Sequence, residues 1–390
     1  MAQLLGLHRN DAALQYSDIV ERETRRRLWW TLYEFERYLA NLNFTNSRFS
    51  SMANGCPAAI HDADSDTALP SESLLSPGDY TPMGYLGSSV ALAQISGHIF
   101  QGMYSVPPQR VPNVQGNRLS RRTIADLYGE LVRWRHDVPP HLRINSNSLD
   151  PSMNPSVMRA LAFLDLRFQY AIISVTRPLL FRLVSAVRDG SFDTLSQESR
   201  TFITTYSDAC AQSARSSLST LKFMHQNQLL NNVLWLDAFY ILSTAMVLLL
   251  AFLRATSASE ARRVHECISI LRELQPRGTG RIVLDSLSDL ATFLGLDEVP
   301  SASSPHDTHH GGNPGDLQLY ELFSSTATTP GTAAGGINSP EISLNGWGGV
   351  GYHNVGGVAG DGGGQGGGGP NEFAWMDQIV RMAYAEFGPT

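Results

Sequence analysis

Residues 17–42, SDIVERETRRRLWWTLYEFERYLANL, combine a charged start, three consecutive arginines, a tryptophan pair and a long apolar pattern. Asp18 can cap a helix, and Glu21 stands three residues later in the capping-box position. The apolar residues recur with a four-three spacing, at Leu28, Leu32, Phe35, Leu39 and Leu42. This spacing predicts a helix of about seven turns. Its leucine-rich stripe, widened by Trp29 and Tyr33, is expected to face a core around which the other helices pack.

The triple arginine beside the tryptophans admits two interpretations. Arginine binds phosphate and aromatic rings stack on bases, which is typical of nucleic-acid contact. However, Arg25, Arg26 and Arg27 are spread by 100° steps around a helix, and Glu21 and Glu23 lie one turn before them. The pattern therefore favours a solvated, salt-bridged helix entry over a phosphate site. The tryptophans are expected in the core and at its rim.

Charge and cysteine content narrow the class of protein. The 390 residues carry a net charge of −7, which argues against broad electrostatic binding of nucleic acid or anionic membrane by this chain alone. The three cysteines, Cys56, Cys210 and Cys267, are far apart and form no CxxC pair. This usage predicts free thiols in a reducing compartment and no zinc site.

Further helical patterns follow a polar loop over residues 43–82. They cover residues 85–104, 156–177, 201–230, 231–254, 259–275 and 281–294, together with a helix that Ser120 caps and that ends before Pro139. Pro178 is expected to kink or break the chain after the 156–177 helix. Inside the loop, Asp62, Asp64 and Asp66 imitate the start of a calcium loop. The required glycine and glutamate are absent from positions 67 and 73, so no calcium site is predicted.

The most apolar segment, residues 233–253, is long enough to cross a bilayer. Asp237, Ser243 and Thr244 lie inside it, and an aspartate costs about 2.5–3.5 kcal/mol at a membrane centre. The segment lacks a flanking basic cluster. A buried central helix is therefore favoured over a membrane span.

The C-terminal composition predicts two further regions. Residues 296–370 are rich in Gly, Ser, Thr and Pro and predict a disordered linker, in which His306, His309 and His310 are expected to be solvated. Residues 371–390 regain an amphipathic, acidic and aromatic pattern. The segment either folds into a partner's apolar groove, as activation segments do, or docks on its own domain. Its candidate contact residues are Phe373, Trp375, Met376, Ile379, Tyr384 and Phe387.

No motif for catalysis is present in the sequence. It contains no nucleophile elbow, phosphate loop, dinucleotide fingerprint or paired-histidine metal motif. The histidines are dispersed. The chain is therefore predicted not to be an enzyme, with no catalytic residue, no bound metal and no cofactor of its own.

Several short motifs follow one another in a distinctive order. LLGLHRN at 4–10 precedes ETRRRLWW at 23–30 and an acid–arginine pair at 36–37. The motifs that follow are GCPAAI at 55–60, LVRWRHDVPPHL at 131–142 and SVTRPLL at 174–180. This order resembles the fungal-specific transcription factor domain of fungal binuclear zinc-cluster factors, the xylanolytic-activator type, although Cys56 stands where the family has arginine. The matched residues are Leu5, Gly6, Leu7, His8, Arg9, Arg26, Arg27, Trp29, Trp30, Arg37, Gly55, Pro57, Ile60, Trp134, Arg177 and Pro178.

The resemblance covers residues 1–295 and implies an all-α, multi-helix regulatory domain that lacks its front part. It implies a nuclear protein that takes part in transcription regulation with coactivators or other regulators, and homodimer formation stays open. Family members bind DNA and zinc through a six-cysteine module, which the three cysteines here do not provide. The alternative is a stand-alone helical module that senses a ligand or dimerises and competes with full-length relatives.

Overall fold

The computed structural model describes residues 2–10, 18–42, 60, 62–74, 81–104, 120–144, 153–231, 235–275 and 279–296. Within these ranges the chain forms eight α-helices and no strand, which confirms the predicted all-α class. They are α1 Ile19–Leu42, α2 Tyr85–Ile99, α3 Arg121–Asp137, α4 Pro155–Arg188, α5 Gln197–Gln226, α6 Trp235–Ala255, α7 Ala258–Glu273 and α8 Thr279–Phe293. A π-helical turn, Phe100–Tyr104, continues α2. The predicted linker and tail lie outside the described residues, and the division at 295 and 370 stays a prediction.

Side-chain caps fix several helix starts. Ser120 accepts a hydrogen bond from the backbone amide of Thr123 at the start of α3, as predicted. Asp18 accepts one from the amide of Val20 at the start of α1. Asn154 and Ser196 cap α4 and α5 in the same way. These bonds satisfy amides that have no partner inside the helix.

The main core lies between α4, α5, α6, α7 and α8. Tyr170 of α4 meets Phe239 of α6 edge to face, with ring centroids 5.2 Å apart. On its other side α4 packs against α2 and α3, where Trp134 stacks on Phe168. The longest helix is therefore shared by both parts of the core.

The predicted break at Pro178 is wrong, because α4 runs unbroken from Pro155 to Arg188. A proline inside a helix costs about 3 kcal/mol. Leu179 and Leu180 directly after it are fully buried, and burial of such a side chain contributes about 1.5–3 kcal/mol. The packing of the turn around Pro178 thus offsets the lost backbone hydrogen bond.

Among the residues that the structure describes, two helices are long and apolar enough to cross a membrane by length and composition, Pro155–Arg188 and Leu236–Ala255. Their most apolar windows are 67% and 78% buried inside the protein. Asp237, near the start of α6, accepts bonds from the Arg159 guanidinium at 3.1 Å and from the amide of Asn231 at 2.6 Å. This burial agrees with the predicted central core helix.

Candidate functional site

The first motif forms a turn that is clipped to the segment after α1. Gly6 adopts φ 67°, a left-handed conformation that favours glycine, and the amide of Leu7 bonds back to the carbonyl of Ala2. The Leu7 side chain is buried, and its carbonyl accepts a bond from Thr67 Oγ1 at 2.9 Å. The carbonyl of His8 accepts from the amide of Asp66. Residues 2–8 are thereby fixed to residues 65–67.

The buried face of α1 differs from the predicted one. Leu28, Leu32 and Phe35 are 48%, 37% and 61% exposed, so the prediction that their stripe faces the core is wrong. Trp29 and Tyr33 are fully buried instead. Aromatic rings bury about 150–250 Å² each, more than leucine, and buried Tyr and Trp usually bond through their polar atoms. We call the resulting cluster the α1 junction, formed by Leu7, Trp29, Trp30, Tyr33, Ile60, Val90 and Ala93.

Several polar atoms in and beside the α1 junction are paired across the chain, whereas the buried Trp29 Nε1 has no hydrogen-bond partner among the described residues. Trp30 Nε1 donates to the carbonyl of Ala68 at 2.9 Å, and the Tyr33 hydroxyl donates to Asp62 at 2.6 Å. The buried Arg37 guanidinium lies 2.7 Å from the same carboxylate and 4.7 Å from the centre of the Tyr33 ring. Burial alone would raise the pKa of Asp62, but the hydrogen bonds from Tyr33 and Arg37 outweigh it and hold that pKa below its usual value.

Arg37 also sets the distance between α1 and α2. A Cβ atom added at Gly97 of α2 would lie 3.3 Å from Arg37 Nε. Because the guanidinium is held by Asp62, the absence of a side chain at position 97 lets the two helices approach at this point.

Glu23 corrects the prediction of a solvated helix entry, because its side chain is completely buried. It accepts from Arg27 Nε at 3.1 Å and from the amide of Ser71 at 2.8 Å, and Arg26 lies 3.8 Å away. Arg25 donates to the carbonyl of Leu5. The three arginines therefore hold residues 2–10 and 71 against α1. These bonds disfavour the phosphate interpretation.

A second polar network, which the sequence patterns missed, connects α1 with α2 and α4. Ser89 Oγ donates to Glu34 at 2.9 Å, and Arg167 Nη1 lies 3.0 Å from Ser89 Oγ and 3.5 Å from the Glu34 carboxylate. Burial raises the pKa of Glu34, and the Arg167 charge and the Ser89 bond only partly oppose it. Helical spacing could have indicated this burial. Glu23 and Glu34 lie on the same face of α1 as Trp30 and Arg37, which are buried.

The remaining family-motif residues lie elsewhere or beyond the described ranges. Trp134 donates to the carbonyl of Ser88 at 2.9 Å, which joins α3 to α2. Arg177 and Pro178 lie in α4 on the opposite part of the core, where burial raises the pKa of the Cys210 thiol to about 12. The residues outside the described ranges are Gly55, Pro57, Phe373, Trp375, Met376, Ile379, Tyr384 and Phe387.

The side chains of the α1 junction hold the fold together and do not form a reactive or metal-binding site. In the described part of the chain, no group of three or more His, Cys, Asp or Glu side chains could hold a metal ion. His8 packs on Trp29 with ring centroids 5.8 Å apart, and Arg9 lies 3.9 Å from Asp66. The described motif residues Leu7, Trp29, Trp30, Arg37 and Ile60 thus position an N-terminal turn, α1 and the segment after it as one unit.

The part of the chain that contains the α1 junction matches a known protein family. Residues 1–136 match the family described as the fungal specific transcription factor domain, a range that contains the α1 junction and ends in α3. The order of the motifs in the sequence indicated the same family.

Several curated fungal proteins are similar to this chain. An uncharacterized transcriptional regulatory protein of Schizosaccharomyces pombe is 26% identical over 249 residues, 63% of this chain and 27% of that protein. Activator of stress genes 1 of Saccharomyces cerevisiae is 25% identical over 293 residues, 73% of this chain and 27% of the relative. Transcriptional activator protein acu-15 of Neurospora crassa is 25% identical over 193 residues, 46% of this chain and 18% of the relative.

The names of these relatives describe a transcriptional regulatory protein, an activator of stress genes and a transcriptional activator. The chain spans about a quarter or less of the length of each relative. No solved structure matches it.

Proposed function

We propose that this chain is the regulatory and effector portion of a nuclear fungal transcription factor of the zinc-cluster type, with no catalytic step of its own. The observation that carries the proposal is the family match at residues 1–136, because four of its motif residues, Leu7, Trp29, Trp30 and Ile60, belong to one buried apolar junction instead of a catalytic centre. The names of the relatives support a regulator over a stand-alone ligand sensor.

The charge distribution supports a role in which the helical body does not itself bind DNA or zinc, and residues outside it do. The net charge is −7, whereas DNA binding draws on clustered, accessible Lys and Arg. Several arginines of the helical body pair with carboxylates instead. These pairs include Arg27 with Glu23, Arg37 with Asp62, Arg159 with Asp237 and Arg215 with Glu260. The helical body is then the part that receives regulatory signals and holds the effector segment.

The proposed effector segment is residues 371–390, which would recruit coactivators. Its aromatic and acidic residues alternate in a pattern suited to an apolar groove on a partner. The predicted linker of about 75 residues has a root-mean-square span of roughly 45–50 Å if it behaves as a Gly-rich coil. That reach lets a partner bind the segment without contact with the helical body.

A tethered reporter assay tests this proposal. The full chain is fused to an unrelated DNA-binding domain, and transcription from a reporter is compared with that domain alone. The double substitution Phe373→Ala and Trp375→Ala is expected to remove activation by at least about tenfold, whereas Trp347→Ala in the linker leaves it unchanged. Equal protein levels are verified by immunoblot. A fusion that leaves the reporter unaltered, or one whose activity survives the double substitution, contradicts the assigned effector role.

A further inference from the structure

The basic residues of this chain are almost entirely arginine. Among the 29 Lys and Arg residues of the sequence, Lys222 is the only lysine. Lysine is one of the commonest residues of soluble proteins, so a chain of 390 residues ordinarily contains many. Both side chains carry a positive charge, but only lysine has a primary amine that can lose its proton and accept an acyl group. Any modification of a lysine side chain in this sequence therefore falls on one position.

Lys222 lies on the surface of the helical body, about one turn before α5 ends at Gln226. Its side chain is 45% exposed, and Nζ lies 3.1 Å from Oε2 of Glu266 on α7. The three residues at 226–228 that follow it are exposed as well. Because exposed ion pairs contribute little to stability, the ammonium group can leave Glu266 and extend into solvent. A large partner can therefore reach the amine without any change in the packing of the helices.

The contact between α5 and α7 does not require a lysine at position 222. Seven residues earlier on α5, Arg215 makes an equivalent contact and lies 2.6 Å from Glu260 at the start of α7. An arginine at position 222 would reach Glu266 in the same way, because the end of the side chain is in solvent and a guanidinium binds carboxylates well. The property that lysine adds at this position is thus its amine and not its charge.

The size of the acyl group decides which modification has a consequence. A small group on Lys222 would remove one exposed ion pair, which is too weak an interaction to alter the fold. A conjugated protein changes what binds the whole chain, and a single acceptor lysine places that control at one residue. We propose that Lys222 is the site at which ubiquitin is conjugated to this chain and through which its turnover is controlled. The inference does not depend on the proposed function.

The reaction is an acyl transfer without a redox step. Ubiquitin is supplied as a thioester between its C-terminal glycine and a cysteine of a conjugating enzyme. The deprotonated Nζ of Lys222 attacks the thioester carbonyl carbon, the carbon–nitrogen bond of an isopeptide forms, and the carbon–sulfur bond breaks. Of the two protons that the ammonium group loses, one goes to solvent and the other protonates the departing thiolate.

Purification of the full chain from fungal cells with an inhibited proteasome tests the proposal. The chain carries a lysine-free histidine tag, is purified under denaturing conditions and is probed for ubiquitin by immunoblot. Lys222→Arg keeps the charge but lacks the amine, so it is expected to lose the conjugate and to persist longer after protein synthesis is blocked. Glu266→Gln removes the ion pair but keeps the amine, and this matched control is expected to retain the conjugate. Circular dichroism of the purified native variants verifies that each is folded.

Mass spectrometry locates the bond. Trypsin does not cleave after a conjugated lysine, so the expected product is the peptide 216–254 with a Gly-Gly remnant on Lys222. A wild-type chain without ubiquitin after proteasome inhibition overturns the proposal, as does a chain whose Lys222 carries only an acetyl group. A conjugate that survives Lys222→Arg also overturns it, because the acceptor is then the N-terminal amine or a hydroxyl group. Equal half-lives of the wild type and Lys222→Arg contradict the control of turnover.

Discussion

Replacement of Trp29 by alanine should destabilise the protein strongly, whereas replacement of Phe35 on the same helix should not. Trp29 is completely buried in the α1 junction and Phe35 is 61% exposed. Truncation of a buried Trp or Phe to alanine costs about 3–5 kcal/mol, whereas most exposed substitutions stay within about 0.5 kcal/mol. The expected costs of the two changes therefore differ by at least about sixfold, although both remove one aromatic ring from α1.

Urea and thermal unfolding followed by circular dichroism measure the difference. For a domain of this size, 3–5 kcal/mol corresponds to a decrease in Tm of about 6–20 °C. If Phe35→Ala lowers the unfolding free energy as much as Trp29→Ala does, the assignment of the buried and exposed faces of α1 is refuted.

Three further outcomes follow from the same contacts. Gly97→Ala should destabilise the protein by about 1–3 kcal/mol, because the added Cβ overpacks against Arg37. Gly87→Ala should stabilise it by about 0.5–1 kcal/mol, because no atom lies within 4 Å of the added Cβ. The midpoints of urea unfolding measure both changes. Asp62→Asn should cost about 2 kcal/mol at neutral pH. Folding lowers the pKa of Asp62, so the difference in unfolding free energy between the wild type and Asp62→Asn should shrink as pH falls below about 4. A constant difference across that pH range contradicts the ion pair. Iodoacetamide at pH 8 should leave Cys210 and Cys267 unmodified until the chain is denatured, since burial raises the pKa of both thiols; mass spectrometry detects any native-state labelling.

The positions of the helices could be predicted from the sequence, but the direction in which α1 faces could not. The spacing of Leu28, Leu32 and Phe35 predicts an apolar face equally well for a core and for an exposed seam. Only the tertiary partners decide between them, and here the segment at Asp62 and Ala68 provides hydrogen bonds for Tyr33 and Trp30. Local periodicity contains no information about such distant partners.

Buried charges were a second limit of prediction. Glu23 and Glu34 are acidic residues on a helix, a pattern that indicates solvent exposure, yet both are buried beside arginines. Pro178 is a third case, because the packing of α4 outweighs a local helix breaker. In each case a contact between segments far apart in the sequence reverses a local preference.

The candidate site was located by motif order and not by chemistry. Leu7, Trp29, Trp30 and Ile60 are far apart in the sequence, and the structure brings them into one cluster. Arg177 and Pro178 belong to α4 and are not part of it. The motif therefore identifies residues that build the fold of the domain, while the effector contacts are proposed for residues 371–390.

Rapid depletion of the protein in its native host, followed by sequencing of newly made RNA, tests the regulatory role most directly. We expect the rate of RNA synthesis of a defined group of genes to change soon after depletion, before growth or metabolism is altered. Wild-type protein is expected to restore these rates, and the Trp29→Ala variant, which loses the α1 junction, is expected to do so poorly. Unchanged synthesis of all transcripts after complete depletion would contradict a role in transcription regulation.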